Sequence, residues 1–72
     1  MRIALTGASG FIGAAICRAL KARGHIVIAL VRASSRRDHI EPFVDTFVVG
    51  DHTDEAAWDD LLEHAEAVIH NS

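Results

Sequence analysis

Three evenly spaced glycines, Gly7, Gly10 and Gly13, constrain the fold of this chain more than any other feature. They follow an apolar run at residues 3–5 and precede an amphipathic stretch that ends at Gly24. This order predicts a strand, a tight turn and a helix. In such a unit the first glycine lets the chain turn off the strand. The second lets a pyrophosphate approach the backbone, and the third lets the helix pack close to the sheet.

The predicted helix start would also offer unpaired N–H groups and the positive end of its dipole to an anion. The alternative is a tight structural turn that binds no ligand. A strand before the turn, a helix after it and a second strand beyond are the context that a dinucleotide site requires, and the sequence predicts all three. We therefore predict that the turn holds a diphosphate.

Strands and helices alternate along the rest of the chain. Strands are predicted at residues 2–6, 25–31 and 43–49, and a fourth begins at residue 67. The buried face of the first helix is predicted from helical spacing to contain Ile12, Ile16, Ala19, Leu20 and Arg23. The last helix is predicted to start at Thr53 as N-cap and to pack through Trp58, Leu61, Leu62 and Ala65. Residues 32–42 fit either a short helix or an irregular loop.

The order β-α-β-(α)-β-α-β predicts an α/β fold with a parallel sheet and helices on its faces. We expect one domain, residues 1–72, that forms half of a doubly wound sheet with strand order 3-2-1-4. The glycine-rich turn would then lie at the carboxyl end of the first strand. The fourth strand diverges there to the other side, which opens a crevice for a ligand.

The composition of the chain gives no sign of a nucleic acid or a membrane as its partner. The net charge of −3 gives no reason to expect nucleic acid as a partner, and no apolar run approaches the length of a membrane span. The chain begins directly with a strand and carries one cysteine, Cys17, which we expect to be buried and inert. We therefore expect a cytoplasmic protein. The five histidines are scattered, so no metal site is predicted.

The residue that ends the second strand selects between the two nicotinamide dinucleotides. An acid at that position accepts hydrogen bonds from the adenosine ribose and favours NAD. This chain has Arg32 there, and a guanidinium can instead pair with a 2′-phosphate. Ser34 and Ser35 follow with hydroxyl groups, and Arg36 and Arg37 add two cations. We predict NADP, with NAD as the alternative cofactor, although the same residues could form only a solvated loop.

Two further positions lie at the carboxyl edge of the predicted sheet. Asp51 follows the third strand, where its carboxylate could accept a hydrogen bond from an adenine amino group, assisted by the backbone of His52. The equal alternative is that Asp51 satisfies its own turn at the helix entry. His70 ends the fourth strand beside the crevice, and we expect it to be hydrogen-bonded within the sheet.

These residues together resemble a known family. The resemblance lies in residues 1–20 (MRIALTGASGFIGAAICRAL), 29–32 (ALVR), 49–51 (VGD) and 67–70 (AVIH). They are similar to the N-terminal half of the extended short-chain dehydrogenases/reductases, the NAD-dependent epimerase/dehydratase group, which includes dihydroflavonol-reductase-like enzymes. The resemblance implies a Rossmann domain.

The resemblance also implies a set of cofactor contacts. The residues that it implies at the pyrophosphate and ribose are Gly7, Ser9, Gly10, Phe11, Ile12 and Gly13. It places Arg32 at the 2′-phosphate with Ser35 and Arg36 as helpers, and Asp51 with His52 at the adenine.

The sequence departs from the family at two points. The family usually continues His-Leu-Ala after the fourth strand, where this chain has His70, Asn71 and Ser72. Its chemistry uses a Tyr-x-x-x-Lys pair with a Ser or Thr, whereas this sequence has no tyrosine and its one lysine, Lys21, is expected on the outer face of the first helix. We therefore expect the chain to be the cofactor-binding portion of an oxidoreductase or epimerase that is inactive alone.

The alternative is a non-catalytic nucleotide-binding module. In both cases the fourth strand is expected to leave an unpaired apolar edge, which would promote self-association, for example as a dimer.

Overall fold

A four-stranded parallel sheet with helices on its two faces forms the molecule, described by a computed structural model over residues 1–51 and 53–71. The elements in chain order are β1 (Arg2–Leu5), α1 (Phe11–Ala22), β2 (Ile26–Val31), a short 3₁₀ turn (Glu41–Phe43), β3 (Thr46–Val49), α2 (Glu55–His64) and β4 (Ala67–Ile69). The strand order is β3-β2-β1-β4. The predicted α/β fold and its strand order are therefore confirmed. Among the described residues, no helix is long and apolar enough to cross a membrane.

The strand register brings the carboxyl ends of the strands to one edge of the sheet. Leu5, the last residue of β1, lies opposite Ala29 of β2 and Ile69 of β4. Val31 of β2 lies opposite Val49 of β3. Because all pairs are parallel, the segments that follow the four strands emerge together at this edge.

The sheet separates two apolar layers because successive side chains of a strand point to opposite faces. The layer that packs against α1 contains the buried residues Leu5, Ala8, Cys17, Val27, Ala29, Val31 and Ile40. The layer on the α2 side contains Ala4, Ile28, Leu30, Val48, Ala57 and Leu61. The continuous apolar sequence of β2 is explained by its position, since it contributes side chains to both layers.

The buried face of α1 agrees with the predicted one only in part, because Ile16 and Leu20 pack against the core but the other predicted residues, Ile12, Ala19 and Arg23, are exposed. Gly13 and Cys17 are its buried residues, whereas Ile12 is 63% exposed. The contact line is displaced by one residue because the absence of a side chain at Gly13 lets this turn of the helix lie directly on the chain that leaves β1. Cys17 is fully buried, as predicted, and the burial raises the pKa of its thiol.

The start of α2 also differs from the prediction. Asp54, not Thr53, is the N-cap, because its carboxylate accepts hydrogen bonds from the N–H groups of Ala56 and Ala57. Leu62 is expected on the packing face of α2, but it is 52% exposed. The face that packs on the sheet is centred one residue earlier, on the buried Leu61.

The third strand is shorter than predicted because Asp45 has another role. Its carboxylate accepts a hydrogen bond from the Val27 N–H and two from Nζ of Lys21, at 2.6 and 2.8 Å. Lys21 is therefore not a free surface group but ties α1 to the start of β3. The bonds from Lys21, followed by that from Val27, lower the pKa of Asp45.

Candidate functional site

A cleft of about 530 Å³ opens at the carboxyl edge of the sheet. Its walls are the glycine-rich turn with the start of α1, the segment after β2, and the ends of β3 and β4. The lining residues are Thr6, Gly7, Ser9, Gly10, Phe11, Ile12, Leu30, Val31, Arg32, Ser34, Ser35, Gly50, His70 and Asn71. This is the crevice that the sequence predicts.

The turn begins at a residue that must be glycine. Gly7 has φ +65°, a conformation that residues with a side chain rarely adopt. A Cβ at this position would lie 2.0 Å from the carbonyl oxygen of Asn71. The carbonyl oxygen of Gly7 accepts a hydrogen bond from the Gly10 N–H at 3.3 Å, which closes the turn.

Gly10 is different, because none of the described residues requires a glycine there. Its backbone has φ −75° and ψ 173°, which any residue can adopt. Within residues 1–51 and 53–71, a Cβ would meet only the carbonyl oxygen of Gly7, at an ordinary contact distance of 3.5 Å. Gly10 lines the cleft. The absence of its Cβ therefore leaves room for a ligand at the backbone, which is the fit that a pyrophosphate requires.

The start of α1 supplies hydrogen-bond donors beside Gly10. The first hydrogen bond of the helix runs from the Ala14 N–H to the Gly10 carbonyl, so the N–H groups of Phe11, Ile12 and Gly13 precede the helical ladder. Gly10 is the N-cap and offers no side-chain acceptor to them. Donors that are left over at the positive end of a helix favour an anion.

Gly13 has the packing role that its spacing predicts. It is buried, and a Cβ would lie 2.0 Å from the carbonyl oxygen of Gly7 and 2.8 Å from Cα of Ala8. Both neighbours are backbone atoms, which cannot rotate away. Gly13 therefore fixes the distance between α1 and the turn.

Arg32 lies in the cleft, across from the glycine-rich turn. It follows β2 and lines the cleft with Ser34 and Ser35. Its carbonyl oxygen accepts a hydrogen bond from the Ser35 N–H at 3.0 Å, and its own N–H donates to Oγ of Ser35 at 3.2 Å. Within residues 1–51 and 53–71, no carboxylate forms an ion pair with Arg32. A cationic side chain and two hydroxyls thus lie at one end of the cleft.

The other two predicted cations are directed elsewhere. The Arg36 guanidinium is 86% exposed and lies 3.7 Å from the carboxylate of Asp38. The guanidinium carbon of Arg37 lies 5.4 Å from the ring centroid of Phe47, a cation–π arrangement. Of the three arginines in this segment, the structure brings Arg32 to the cleft.

Asp51 has the geometry of a helix-entry residue. Its carboxylate accepts hydrogen bonds from the N–H of Thr53 at 3.1 Å and from the Thr53 hydroxyl at 3.3 Å. The neighbouring Gly50 lines the cleft. A contact between Asp51 and adenine stays a prediction, and His52, its predicted helper, lies outside the described residues.

The end of β4 forms the wall opposite Arg32. Thr6 is buried, and its hydroxyl lies 2.8 Å from Nδ1 of His70 and accepts a hydrogen bond from the Asn71 N–H at 3.0 Å. The His70 ring is tilted against the ring of Trp58, with 6.0 Å between the centroids. His70 is thus hydrogen-bonded at the end of the sheet, although its side chain remains exposed to the cleft.

Two contacts of the turn are missing from the sequence-based prediction. Nε2 of His39 donates a hydrogen bond to the carbonyl oxygen of Ser9 at 2.9 Å, and Nδ2 of Asn71 donates to that of Gly7 at 3.3 Å. The polar residue at position 71, where the family usually has leucine, is a signal for the second contact. No sequence pattern marks His39, because its contact depends on the path of the loop after β2.

A cluster on the outer surface of α2 lies away from the cleft residues. Asp60, Glu63 and His64 are exposed and have potential ligand atoms within 4.8 Å of one another. Nδ1 of His64 lies 2.9 Å from the carbonyl oxygen of Asp60, as expected for residues one turn apart on a helix. We assign no function to this cluster.

Comparison with known proteins identifies the family. Residues 3–71 match the NAD dependent epimerase/dehydratase family. The chain belongs to this family. It is 38% identical to a UDP-glucose 4-epimerase from Klebsiella pneumoniae over 97% of the chain and 57% of that protein. It is 43% identical to a 3-diazoavenalumate denitrifying reductase from a Streptomyces species, over 97% of the chain and 22% of that reductase.

A solved structure with a bound dinucleotide agrees in fold. The enzyme WbmH of Bordetella bronchiseptica, solved in complex with NAD+, superposes with a TM-score of 0.81 at 33% identity, over 99% of this chain and 25% of that one. The chain thus spans less than two thirds of these relatives. The family and the NAD+ complex support a nicotinamide dinucleotide as the cofactor of this Rossmann region, which is the coarser part of the prediction.

Proposed function

We propose that this chain is the NADP-binding portion of an oxidoreductase or epimerase, and that the cleft is its cofactor site. The observation that carries this proposal is the position of Arg32, at the end of β2 and in the cleft wall. NAD-selective sites place a carboxylate there to accept hydrogen bonds from the ribose hydroxyls. A guanidinium has no acceptor atom, but it pairs well with a phosphate.

The pyrophosphate would bind at the glycine-rich turn. The donors are N–H groups at the start of α1, and the space is the one left open at Gly10. Ser9, Phe11 and Ile12 also line this part of the cleft and would contact the pyrophosphate and its ribose. The positive end of the helix dipole would add a favourable interaction of about 0.3–1 kcal/mol at an exposed site.

The 2′-phosphate would bind at the segment after β2. Arg32 would pair with it, and the hydroxyl of Ser35, which accepts a hydrogen bond from the Arg32 N–H, would donate its own proton to the phosphate. We propose Arg36 as a second helper, which requires its guanidinium to leave the exposed pair with Asp38. Exposed ion pairs are worth at most about 1 kcal/mol, so this rearrangement costs little.

The adenine would lie at the ends of β2 and β3, where Leu30, Val31 and Gly50 line the cleft. We propose Asp51 and His52 as its polar contacts. The cofactor supplies hydride transfer when it is bound, and this chain supplies binding and orientation. The names of the UDP-glucose 4-epimerase and of a 2-alkyl-3-oxoalkanoate reductase, 37% identical to this chain, suggest a sugar nucleotide or a small carbonyl compound as the substrate of the whole protein.

The test is a comparison of NADPH and NADH affinities with an Arg32→Asp variant. A hydrogen bond to a charged group contributes about 1.5–3 kcal/mol, so the variant should lose about ten- to a hundredfold in NADPH affinity. It should also gain affinity for NADH, because the new carboxylate can accept ribose hydrogen bonds. Arg23→Asp, at the far end of α1, makes the same change of charge and is the matched control. A wild-type preference for NADH would refute the NADP assignment.

A second proposal concerns the edge of the sheet. Among the described strands, β4 pairs with β1 alone, and its central residue Val68 is 38% exposed. Unpaired strand edges recruit further strands. We propose that the chain self-associates through β4 as a dimer. Sedimentation should show a concentration-dependent mass that Val68→Lys reduces, and a stable monomer at high concentration would refute the proposal.

A further inference from the structure

We propose that Asn71 is a positioning residue for the dinucleotide, which holds the glycine-rich turn from the β4 side of the cleft. This inference rests on the proposed function, because it assigns Asn71 to the same site. Asn71 follows β4, 64 residues along the chain from the turn that it contacts. It lines the cleft together with Gly7 and Gly10.

The contact is made at the carbonyl group that closes the turn. Nδ2 of Asn71 donates a hydrogen bond to the carbonyl oxygen of Gly7 at 3.3 Å. The same oxygen accepts from the Gly10 N–H at 3.3 Å. Gly10 is also the N-cap of α1, so the position of this oxygen affects the orientation of the donors that would face a pyrophosphate.

Asn71 is itself well anchored, which a positioning residue requires. Its N–H donates to Oγ1 of Thr6 at 3.0 Å, and the Thr6 hydroxyl lies 3.3 Å from the Asn71 carbonyl oxygen. Thr6 is 2% exposed. These bonds involve only the backbone of Asn71, so a substitution there retains them. The bond to Gly7 depends on the side-chain amide alone, and leucine, the usual family residue, cannot form it.

Substitution of Asn71 should lower the affinity for NADPH but not the affinity for a ligand without a pyrophosphate. Without the amide donor, the turn is less firmly held, and ligands that contain a pyrophosphate should bind more weakly. A net hydrogen bond of about 0.5–1.5 kcal/mol corresponds to a loss of about three- to tenfold for NADPH. Adenosine 2′-monophosphate has no pyrophosphate and would bind on the Arg32 side. Its affinity should therefore change less than twofold, within about 0.4 kcal/mol.

The experiment measures NADPH and adenosine 2′-monophosphate affinities of the wild type, Asn71→Leu and Asn71→Asp by calorimetry. Asn71→Asp keeps the shape but replaces the donor with a carboxylate, so it should lose more NADPH affinity than Asn71→Leu. If Asn71→Leu fails to fold, Asn71→Asp still tests the role of the amide donor. Glu63→Gln, on the exposed surface of α2, is the control. The midpoint of urea unfolding, measured for every variant, shows whether the variant is folded and how stable it is.

Binding by the wild type tests the proposed function, and the difference between wild type and variants tests the role of Asn71. A wild type that binds neither ligand refutes the proposed function. A wild type that binds both, with variants that lose NADPH affinity selectively, supports the positioning role. If the variants bind NADPH as tightly as the wild type, or lose both ligands in parallel with stability, Asn71 has no such role.

Discussion

Two alanine substitutions should act on different properties: Gly13→Ala on stability and Gly10→Ala on cofactor binding. The two glycines lie three residues apart, with Gly10 as the N-cap of α1 and Gly13 in its first turn. A Cβ at Gly13 would lie 2.0 Å from a backbone oxygen, and one at Gly10 would meet its nearest atom at 3.5 Å. The structure thus assigns Gly13 to packing and leaves space at Gly10, where we propose that the ligand binds.

Gly13→Ala should destabilise the fold. Alanine gains about 1 kcal/mol in helix propensity, but overpacking costs about 1–3 kcal/mol even where side chains can move. Here the neighbours are the backbone of Gly7 and Ala8, so α1 must shift from the sheet. We expect a net loss of about 2 kcal/mol or more in the free energy of unfolding. For a domain of this size the melting temperature would fall by about 10 °C or more.

Gly10→Ala should leave the stability almost unchanged. Alanine leaves the unfolded chain fewer conformations than glycine does, which stabilises the folded variant by about 0.4–1 kcal/mol. Alanine is also a weaker N-cap residue than glycine, which costs a similar amount. The new methyl group, however, would occupy the space where a phosphate approaches the backbone. Loss of one charge-assisted hydrogen bond, about 1.5–3 kcal/mol, should weaken NADPH binding tenfold or more.

Urea unfolding followed by circular dichroism gives the stabilities, and calorimetry gives the NADPH affinities. The single tryptophan, Trp58, offers a second signal because its ring lies beside His70 in the cleft wall. Destabilisation of Gly10→Ala to the same extent as Gly13→Ala would contradict the division of roles. So would wild-type NADPH affinity in Gly10→Ala.

Two further predictions follow from shifted pKa values. The hydrogen bonds from Lys21 and Val27 lower the pKa of Asp45 below its ordinary 3.8, so its stabilising effect is present above that pH and is lost as the pH falls through the folded-state pKa. Asp45→Asn should therefore flatten the loss of stability that we expect in urea titrations as the pH falls below about 5. Burial raises the pKa of the Cys17 thiol, so alkylation of Cys17 should be slow in the native protein and fast in urea, and rapid native labelling would contradict its burial.

The order and pairing of the strands could be predicted from the sequence because they depend on patterns along the chain. The apolar runs of β1 and β2, interrupted by a glycine-rich turn and a helix, leave few arrangements other than a right-handed parallel unit. The strand order 3-2-1-4 then follows from the doubly wound sheet that this alternation of strands and helices indicates. The predicted crevice is present for the same reason, since it lies where the first and fourth strands diverge.

The faces of the helices and several side-chain contacts could not be predicted in this way. Hydrophobic periodicity places Ile12 inside, but close packing at Gly13 turns α1 so that Ile12 is exposed. The sequence places Lys21 on the surface, and its ion pair with Asp45 depends on how β3 follows the loop. Asn71 meets Gly7 only because β4 pairs with β1. The contacts of Lys21 and Asn71 join segments that are 24 and 64 residues apart in sequence.

The binding of a pyrophosphate by the glycine-rich turn is the central claim, and NMR tests it most directly. Backbone amide signals of a ¹⁵N-labelled chain would be followed during titration with NADPH. We expect the largest shifts at the amides of Gly10, Phe11 and Ile12, with smaller ones at Arg32 and Ser35. Saturable shifts confined to other parts of the chain, or none at millimolar NADPH, would contradict the account.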